Sequence, residues 1–582
     1  MMLAQPAAWL ALCCAYALAP RAAAAVQANA STAPSRSCDG DTVTAIAIRT
    51  RAAAPATTAQ GETRETASRV LGLPHVNTRA AVVRAYLRLA VGQVCTELNR
   101  SESERLLRAQ PFVASANVRA VPTAPGQVRV DADVVDEVAL VVGGKVSRGT
   151  VSSVLLGTQN FDGRGLSLAV DAERGFAYRP GFGVRAQQHA LFGRPAFIAV
   201  DAERRAVIGE HLAIEVAAPF LTELQLRAFH SSAALESGYS GIVRPDDDGA
   251  AVFVRRTSYD IGWVTRFGRA NGLGTVGLIG AAVIGEDVRS GQDIVIVTDT
   301  GLVAGSGTAF GDDYPDFAMT RLAVIGGMRS LRFTAVHGFD ALNAEQDMGI
   351  GTQLVLLVAP GMLTSGHRSD VLVASEAYAG VGGAESFLVV HARAEARSDR
   401  AKRAWDGVAV SGRLAWYAKP SSIRTRLATL DVSAVRQSVY PVQLTLRDPD
   451  GGLPGFGNAT LAGGGRLVGR LEERLLVRPF GNRVDLALGV FAAAGVLWAG
   501  DVPYGQSSGM EGSAGISLLA AYPAGSKRTF RVDLAFPFDP TQARTHLELR
   551  FRVGARAGSA WMEPRDVARA RTGSVPVSLV RW

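Results

Sequence analysis

The side chains able to do chemistry are few, and their spacing favours none of the common reactions. The 8 histidines are scattered, with no i,i+4 pair, no HExxH run and no cysteine partner at zinc-ligand spacing. No G-x-S-x-G nucleophile elbow is expected, which argues against a fused lipase or patatin. Asp246-Asp247-Asp248 and Asp312-Asp313 have the chemistry to bind a cation, but such acidic runs in loops are more often simply solvated. Gly463-Gly464-Gly465 does not continue as a nucleotide-binding loop, because the residues after it read as a strand. Two features remain. Cys38 and Cys95 are the cysteines left once an N-terminal leader is removed, and in an oxidising compartment they form either one disulfide or two buried thiols. The run Glu472-Glu473-Arg474 puts Glu472 and Arg474 on one face of a strand and Glu473 on the other. Neither feature calls for a cofactor, and no catalytic residue, bound metal or enzymatic activity is expected.

The segments that must position these residues begin with a leader. Residues 1–25 carry an apolar run from Ala7 to Ala19 and small residues at Ala22 to Ala25, as a secretory signal does, and Cys13 and Cys14 would leave with it. No later stretch reaches the roughly 18 uncharged apolar residues of a spanning helix. The net charge of +8 comes almost wholly from arginine, since Lys145, Lys402, Lys419 and Lys527 are the only lysines. No basic cluster is interleaved with aromatic residues, so nucleic acid is not an expected partner. An aromatic content of 7% is low for a membrane barrel, which carries aromatic girdles.

Residues 26–39 are rich in Ala, Ser and Pro and read as a disordered linker. From 40 to 137 the pattern is strand, helix, helix, strand, strand. Val43 to Thr50 alternates; Asn77 or Thr78 can cap a helix burying Val82, Val83, Tyr86 and Leu87; Ser101 and Glu104 form a capping box ahead of Leu106, Leu107 and Phe112. Ala116–Val121 and Val128–Val134 are strands joined by the Pro122 to Gly126 turn. From Val138 to Gly554 the period is two. Leu224 and Leu226 oppose Glu223, Gln225 and Arg227. Phe530, Val532, Leu534, Phe536 and Phe538 oppose Arg531 and Asp533. Leu547, Leu549, Phe551 and Val553 oppose His546, Glu548, Arg550 and Arg552. An apolar face opposite a charged one fits lipid outside and a wet lumen inside. Polar inserts at about 234–249, 286–314 and 340–348 read as surface loops. Residues 555–582 are either a C-terminal tail, with a short helix over Glu563–Arg571, or a last strand ending at Trp582. Pro564 and Pro576 favour a tail lying in the periplasm.

Several phrases resemble one family, the bacterial surface antigen or BamA/TamA superfamily of outer-membrane assembly proteins. Ser103 to Val113 and Asp133 to Glu137 look like the second helix and exit strand of its periplasmic POTRA module. Gln159 to Gly165, Leu191 to Arg194 and Ala218 to Phe220 look like its first barrel turns. In that family a loop with a G-x-R-G-[YF] core folds into the lumen, and its Arg pairs with the Asp of an F-x-D-x-G strand. Here the loop core stands as Gly452-Leu453-Pro454-Gly455-Phe456 and the strand as Phe491-Ala492-Ala493-Ala494-Gly495, so Pro454 and Ala493 replace both charged partners. Losing both leaves no charge stranded. The loop is then expected to be held by Phe456, backbone bonds and packing, with Glu472, Glu473 or Arg474 as replacement lumen contacts.

The resemblance implies an α+β periplasmic POTRA domain followed by an all-β transmembrane β-barrel of about 16 antiparallel strands. It also implies outer-membrane lipids around the barrel, unfolded or nascent protein clients added as strands at the POTRA edge, and barrel-assembly machinery for the chain's own insertion. The expected function is insertion, assembly or translocation of proteins or lipids at the outer membrane. A passive channel or porin without clients is the alternative, and a secreted adhesive β-protein is a third reading.

Overall fold

The computed structural model describes residues 38, 40–52, 77–147, 150–176, 179–205, 209–244, 249–268, 274–298, 300–305, 313–365, 370–399, 404–448, 451–457, 461–477, 484–538, 548–554 and 561–572. The leader, nearly all of the linker, Asp246 to Asp248, Asp312 and Trp582 lie outside them.

The first part is β1 (Thr42–Arg51), α1 (Ala80–Tyr86), α2 (Glu97–Arg108), β2 (Val113–Ala124) and β3 (Gln127–Asp136). β3 is central in a three-stranded sheet, parallel to β1 and antiparallel to β2. Alternation puts Val118, Ala120, Val128, Val130 and Val134 on one face, and the helices cover it with Val83, Tyr86, Leu106 and Leu107, joined by Phe112 from the turn before β2. The second helix begins one turn earlier than the capping-box reading. Thr96 is its N-cap, accepting the Asn99 N–H at 3.2 Å, and Glu97 stabilises the first turn. Ser101 is therefore internal. Glu104 bonds the Val118 N–H at 2.9 Å, tying α2 to β2. Neither Asn77 nor Thr78 caps α1, which starts after Arg79 without a side-chain cap; Thr78 is held elsewhere, by Asp136.

Cys38 and Cys95 are fully buried and joined as a disulfide, with Cα atoms 5.2 Å apart and a sequence separation of 57. Serine at both positions is expected to lower the stability of this domain by about 3–4 kcal/mol, from loop entropy alone. Limited proteolysis of the full chain at rising temperature reads this directly, with cleavage inside residues 77–136 appearing earlier.

Three residues after β3 the chain enters one continuous ring. Its strands are Leu140–Ser147, Thr150–Phe161, Leu166–Phe176, Arg179–Gln188, Phe197–Arg205, Gly209–Ala218, Arg227–Gly241, Ala250–Phe267, Val276–Thr298, Phe317–His337, Glu345–Ser365, Asp370–Gly382, Ser386–Asp399, Ala404–Ser421, Arg424–Arg436, Gly465–Val477, Asp485–Trp498, Glu511–Ala521, Thr529–Pro537 and Glu548–Gly554. Each pairs antiparallel with its sequence neighbour, and Glu548–Gly554 returns to Leu140–Ser147 to close the barrel. Gly301–Ala304 only lengthens one hairpin, because Val276–Thr298 pairs directly with Phe317–His337.

Twenty strands among the described residues thus replace the expected 16 or so. The miss has a local cause: consecutive strands such as Leu166–Phe176 and Arg179–Gln188 are separated by two residues, too few to break an alternating run. Two further readings are corrected. Leu224 and Leu226 lie in the Pro219 to Leu226 turn, not in a strand. Residues 286–298 are ladder, not loop, because the central strands reach 23 residues and run past the apolar belt. The 340–344 turn sits on the side of the N-terminal domain, since the adjoining Asp347 bonds Arg108 of α2 at 2.6 Å.

The Ala250–Phe267 strand shows how the wall is built. Tyr259, Ile261 and Trp263 point outward, 44%, 50% and 55% exposed, while Arg256, Ser258 and Asp260 are buried on the inner face. The same division recurs around the ring, with Val324, Leu356, Leu430, Leu488 and Ile516 outside. In water such a belt would be an aggregation surface; against lipid it is the favourable face, and ring closure pairs the backbone groups that lipid cannot satisfy. Among the described residues no helix is long and apolar enough to cross a membrane.

Candidate functional site: the lumen and the domain junction

The lumen holds two charge clusters, built from inward-facing residues of several wall strands, and one apolar cluster. In the first, Glu286 accepts from Arg256 at 2.6 Å and Arg397 at 2.8 Å, and lies 3.7 Å from Arg321. Arg321 is itself held by Asp370 through two bonds of 2.9 and 2.8 Å. In the second, Glu472 accepts from Arg470, Arg474 and Arg531 at 2.7, 2.6 and 2.8 Å. Arg474 reaches on to the Phe339 carbonyl at 2.9 Å. Glu473 points the other way and pairs with Arg424 at 2.6 Å, as the face assignment of that run requires.

The third cluster involves the loop between Arg436 and Gly465. Leu453 and Phe456 are buried in one apolar group with Leu446, Val468, Ala493 and Leu497. The loop core and the strand motif therefore meet, through carbon rather than charge. Gly452 donates to the Arg447 carbonyl and Leu453 to the Leu446 carbonyl, at 3.0 and 2.9 Å, and Asp448 donates to the Phe456 carbonyl at 3.0 Å, folding the core back on itself. Gly452 has no room for a side chain, since an added Cβ would lie 2.0 Å from the Leu446 carbonyl oxygen. Gly455 is in the left-handed region at φ +90, beside Pro537 and Ala535. Pro454 lies between them in the buried turn. Phe491 stacks under the Arg470 guanidinium at 4.7 Å, and Gly495 leaves space for Leu446.

A charged lock is nevertheless present, between residues that sequence reading did not select. Arg466 forms two bonds to Asp566, of 2.6 and 3.0 Å, both groups being buried, and also donates to the Thr445 carbonyl. Asp566 belongs to α3 (Arg565–Ala570). The described part of the tail, residues 561–572, therefore lies within the lumen rather than in the periplasm as expected. The tail's Glu563, Asp566 and Thr572 find partners on the inner wall, in Ser411, Arg466 and Glu395. The sequence signal available was Arg466 itself, an isolated charge directly after three glycines.

The stretch Gly505-Gln506-Ser507-Ser508-Gly509 does spell G-x-S-x-G, but it joins two wall strands. Its Ser507 and Ser508 hydroxyls accept the Ala499 and Leu497 N–H groups, both at 3.0 Å, so no strand-to-helix elbow forms there.

The N-terminal domain is fastened to the barrel mouth by side chains at the end of β3. Asp136 accepts the Thr78 N–H at 2.7 Å, and Asn160 near the end of the Thr150–Phe161 strand donates to the Thr78 hydroxyl at 2.7 Å. Glu137 accepts from the Ser526 hydroxyl and the Lys527 N–H, both at 2.8 Å. Arg108 of α2 binds Asp347 at 2.6 and 3.0 Å, and Arg105 lies 3.9 Å above the Phe333 ring. In the turn at 189–196, His189 sits beside Phe112, bonded to Ser167 at 2.8 Å, and its own carbonyl accepts from the Tyr86 hydroxyl.

Burial pushes the His189 imidazole down to about 4 from its usual 6.5. A histidine held neutral in the fold contributes its full stability above about 6.5, and loses it as pH falls from there towards 4, because the unfolded chain takes up the proton first. Docking of the domain is expected to loosen over that window. Its protease sensitivity should rise between pH 6.5 and 4 in the native chain and less in His189→Gln.

No protein-family model matches the sequence, and no curated protein matches it. Among solved structures the chain is similar to BamA from Haemophilus ducreyi lacking POTRA domains 1–3, at 12% identity over 87% of this chain and 83% of that one, with a TM-score of 0.35. It is also similar to CdiB from Acinetobacter baumannii, at 9% identity over 83% and 74% with a TM-score of 0.38. CdiB from Escherichia coli matches at 12% identity over 88% and 75% with a TM-score of 0.39. BamA and CdiB are thus among the solved structures to which the chain is similar.

Proposed function

We propose that the chain is an outer-membrane β-barrel with a POTRA-like domain on its periplasmic side, and that it takes part in inserting or translocating protein clients. One observation carries the reading: the weakest place in the wall lies directly beyond the domain. Among the described residues the closing strands, Leu140–Ser147 and Glu548–Gly554, have 8 and 7 residues and are the shortest of the ring, against 23 in the longest. A short ladder has few hydrogen bonds to break. Three residues separate β3 from this seam, and Arg528 fastens it through the Leu140 carbonyl at 2.9 Å. β2 pairs with β3 on one side only among the described residues, which leaves an edge for an extended client. A client strand handed from that edge to an opened seam would replace backbone bonds one for one, without cofactor or catalysis.

The test is a set of cysteine pairs scanned across the two closing strands, in chains reconstituted into phospholipid vesicles. The probe is a urea-unfolded eight-stranded outer-membrane barrel. The expected result is that any pair that cross-links stops acceleration of probe folding and that reductant restores it. Equal acceleration by the locked and unlocked chains would sink the reading. The passive-channel alternative draws no support from a lumen crossed by both a loop and a tail.

A further inference from the structure

The tail is short, but it is held at both ends by opposite parts of the wall. At one end, Asp566 binds Arg466 of the Gly465–Val477 strand and accepts the Thr445 N–H of the loop at 3.3 Å. The side chain of Arg571 reaches the Ala409 and Arg393 carbonyls and the Ser411 hydroxyl, at 3.0, 3.1 and 3.0 Å, and folds back on Glu563 at 2.7 Å. At the other end, Arg256 of the Ala250–Phe267 strand donates to the Arg569 and Arg571 carbonyls. Arg397 donates to the Thr572 hydroxyl at 2.9 Å, and Glu395 accepts the Thr572 N–H at 2.6 Å. Seven wall strands separate the strand of Arg256 from that of Arg466, nearly half the ring. Tail and loop also share one apolar group, in which Val567 and Ala570 pack with Tyr440, Val442, Leu444 and Ala409.

We propose that the inner wall forms a peptide-binding site whose ligand is the chain's own segment 561–572, and that its occupancy shuts the lumen. The ligand chemistry is defined: a carboxylate for the Arg466 guanidinium, then one helical turn whose free carbonyl end faces Arg256, then a hydroxyl for Glu395 and Arg397. A guanidinium at a helix carbonyl end completes the orphan acceptors there. The buried Arg466–Asp566 pair replaces the charge contact that Pro454 and Ala493 cannot make, so locking of the loop depends on the tail. The inference goes beyond the proposed function and holds whether or not the barrel handles clients.

The experiment is single-channel conductance of the full chain in a planar bilayer, with a protease site placed within residues 555–560 and cut after folding. The uncut chain is expected to stay closed. Cutting and washing should open it, and added synthetic peptide 561–572 should close it again. The same peptide carrying Asp566→Lys should bind about a hundredfold more weakly, because a buried guanidinium would face a like charge. In the uncut chain Asp566→Lys alone should open the barrel and Arg466→Glu with Asp566→Lys should close it. A cut, washed barrel that stays closed overturns the proposal, as does equal closure by the two peptides. Heat-dependent gel mobility confirms that each variant is folded, and the cut-and-wash arm decides the question should a variant not fold.

Discussion

Glu286→Gln is expected to lower the temperature at which the folded barrel loses its compact gel mobility by more than any other single change in the lumen. Glu286 is fully buried and is the shared acceptor of Arg256 and Arg397, with Arg321 close by. Removing its charge takes the bonded carboxylate away from the buried Arg256 and Arg397 guanidinium groups, a loss on the order of 3–5 kcal/mol. The neighbouring Asp287 is on the outer side, partly exposed and 3.4 Å from Arg289. Asp287→Asn should change little, since an exposed pair contributes almost nothing measurable. Pairing Glu286→Gln with Arg397→Met should cost less than Glu286→Gln alone, because one of the stranded charges goes with it. Melting followed by band mobility across a temperature series reads all three.

Asp347→Arg is expected to release the N-terminal domain from the barrel mouth. Arg108 is buried at the end of α2, and its fork matches the Asp347 carboxylate. An arginine opposite would substitute repulsion for a charge-assisted double bond, costing several kcal/mol at a partly buried site. Glu104 and Glu345 also face Arg108, so the domain itself should stay folded. Hydrogen exchange should rise at the 189–196 and 522–528 turns without rising in β3. Arg108→Asp combined with Asp347→Arg should recover much of the protection.

The fold was legible wherever one strand face is lipid-like and the other charged. Phe530 to Phe538 could be assigned from sequence because every second residue is apolar, and Thr529–Pro537 is a wall strand. The two-helix domain was legible for the same kind of reason, since Val82, Val83, Tyr86, Leu106, Leu107 and Phe112 fall at helical spacing and are buried. Legibility failed where the ladder outruns the membrane. Asp287, Arg289 and Ser290 read as a loop because neither face is apolar there, yet backbone pairing continues through them.

The lumen was half legible. Resemblance located Leu453, Phe456 and Ala493 in one place, and the face rule separated Glu472 from Glu473. It offered no way to find Asp566, because a buried ion pair of separation 100 leaves no periodic trace in either segment. Nor did it find Asp136 and Glu137 as the junction carboxylates, although both stand in the phrase that suggested the domain.

The most direct measurement is the mobility of the chain from an outer-membrane fraction on a gel, unheated and boiled, with and without reductant. The account predicts a faster unheated band, converted to the full-length position by boiling, and a further mobility change with reductant from the Cys38–Cys95 loop. A water-soluble chain whose mobility ignores heating would contradict it, because the exposed belt around Ile261, Leu356 and Leu488 would then have no lipid to face.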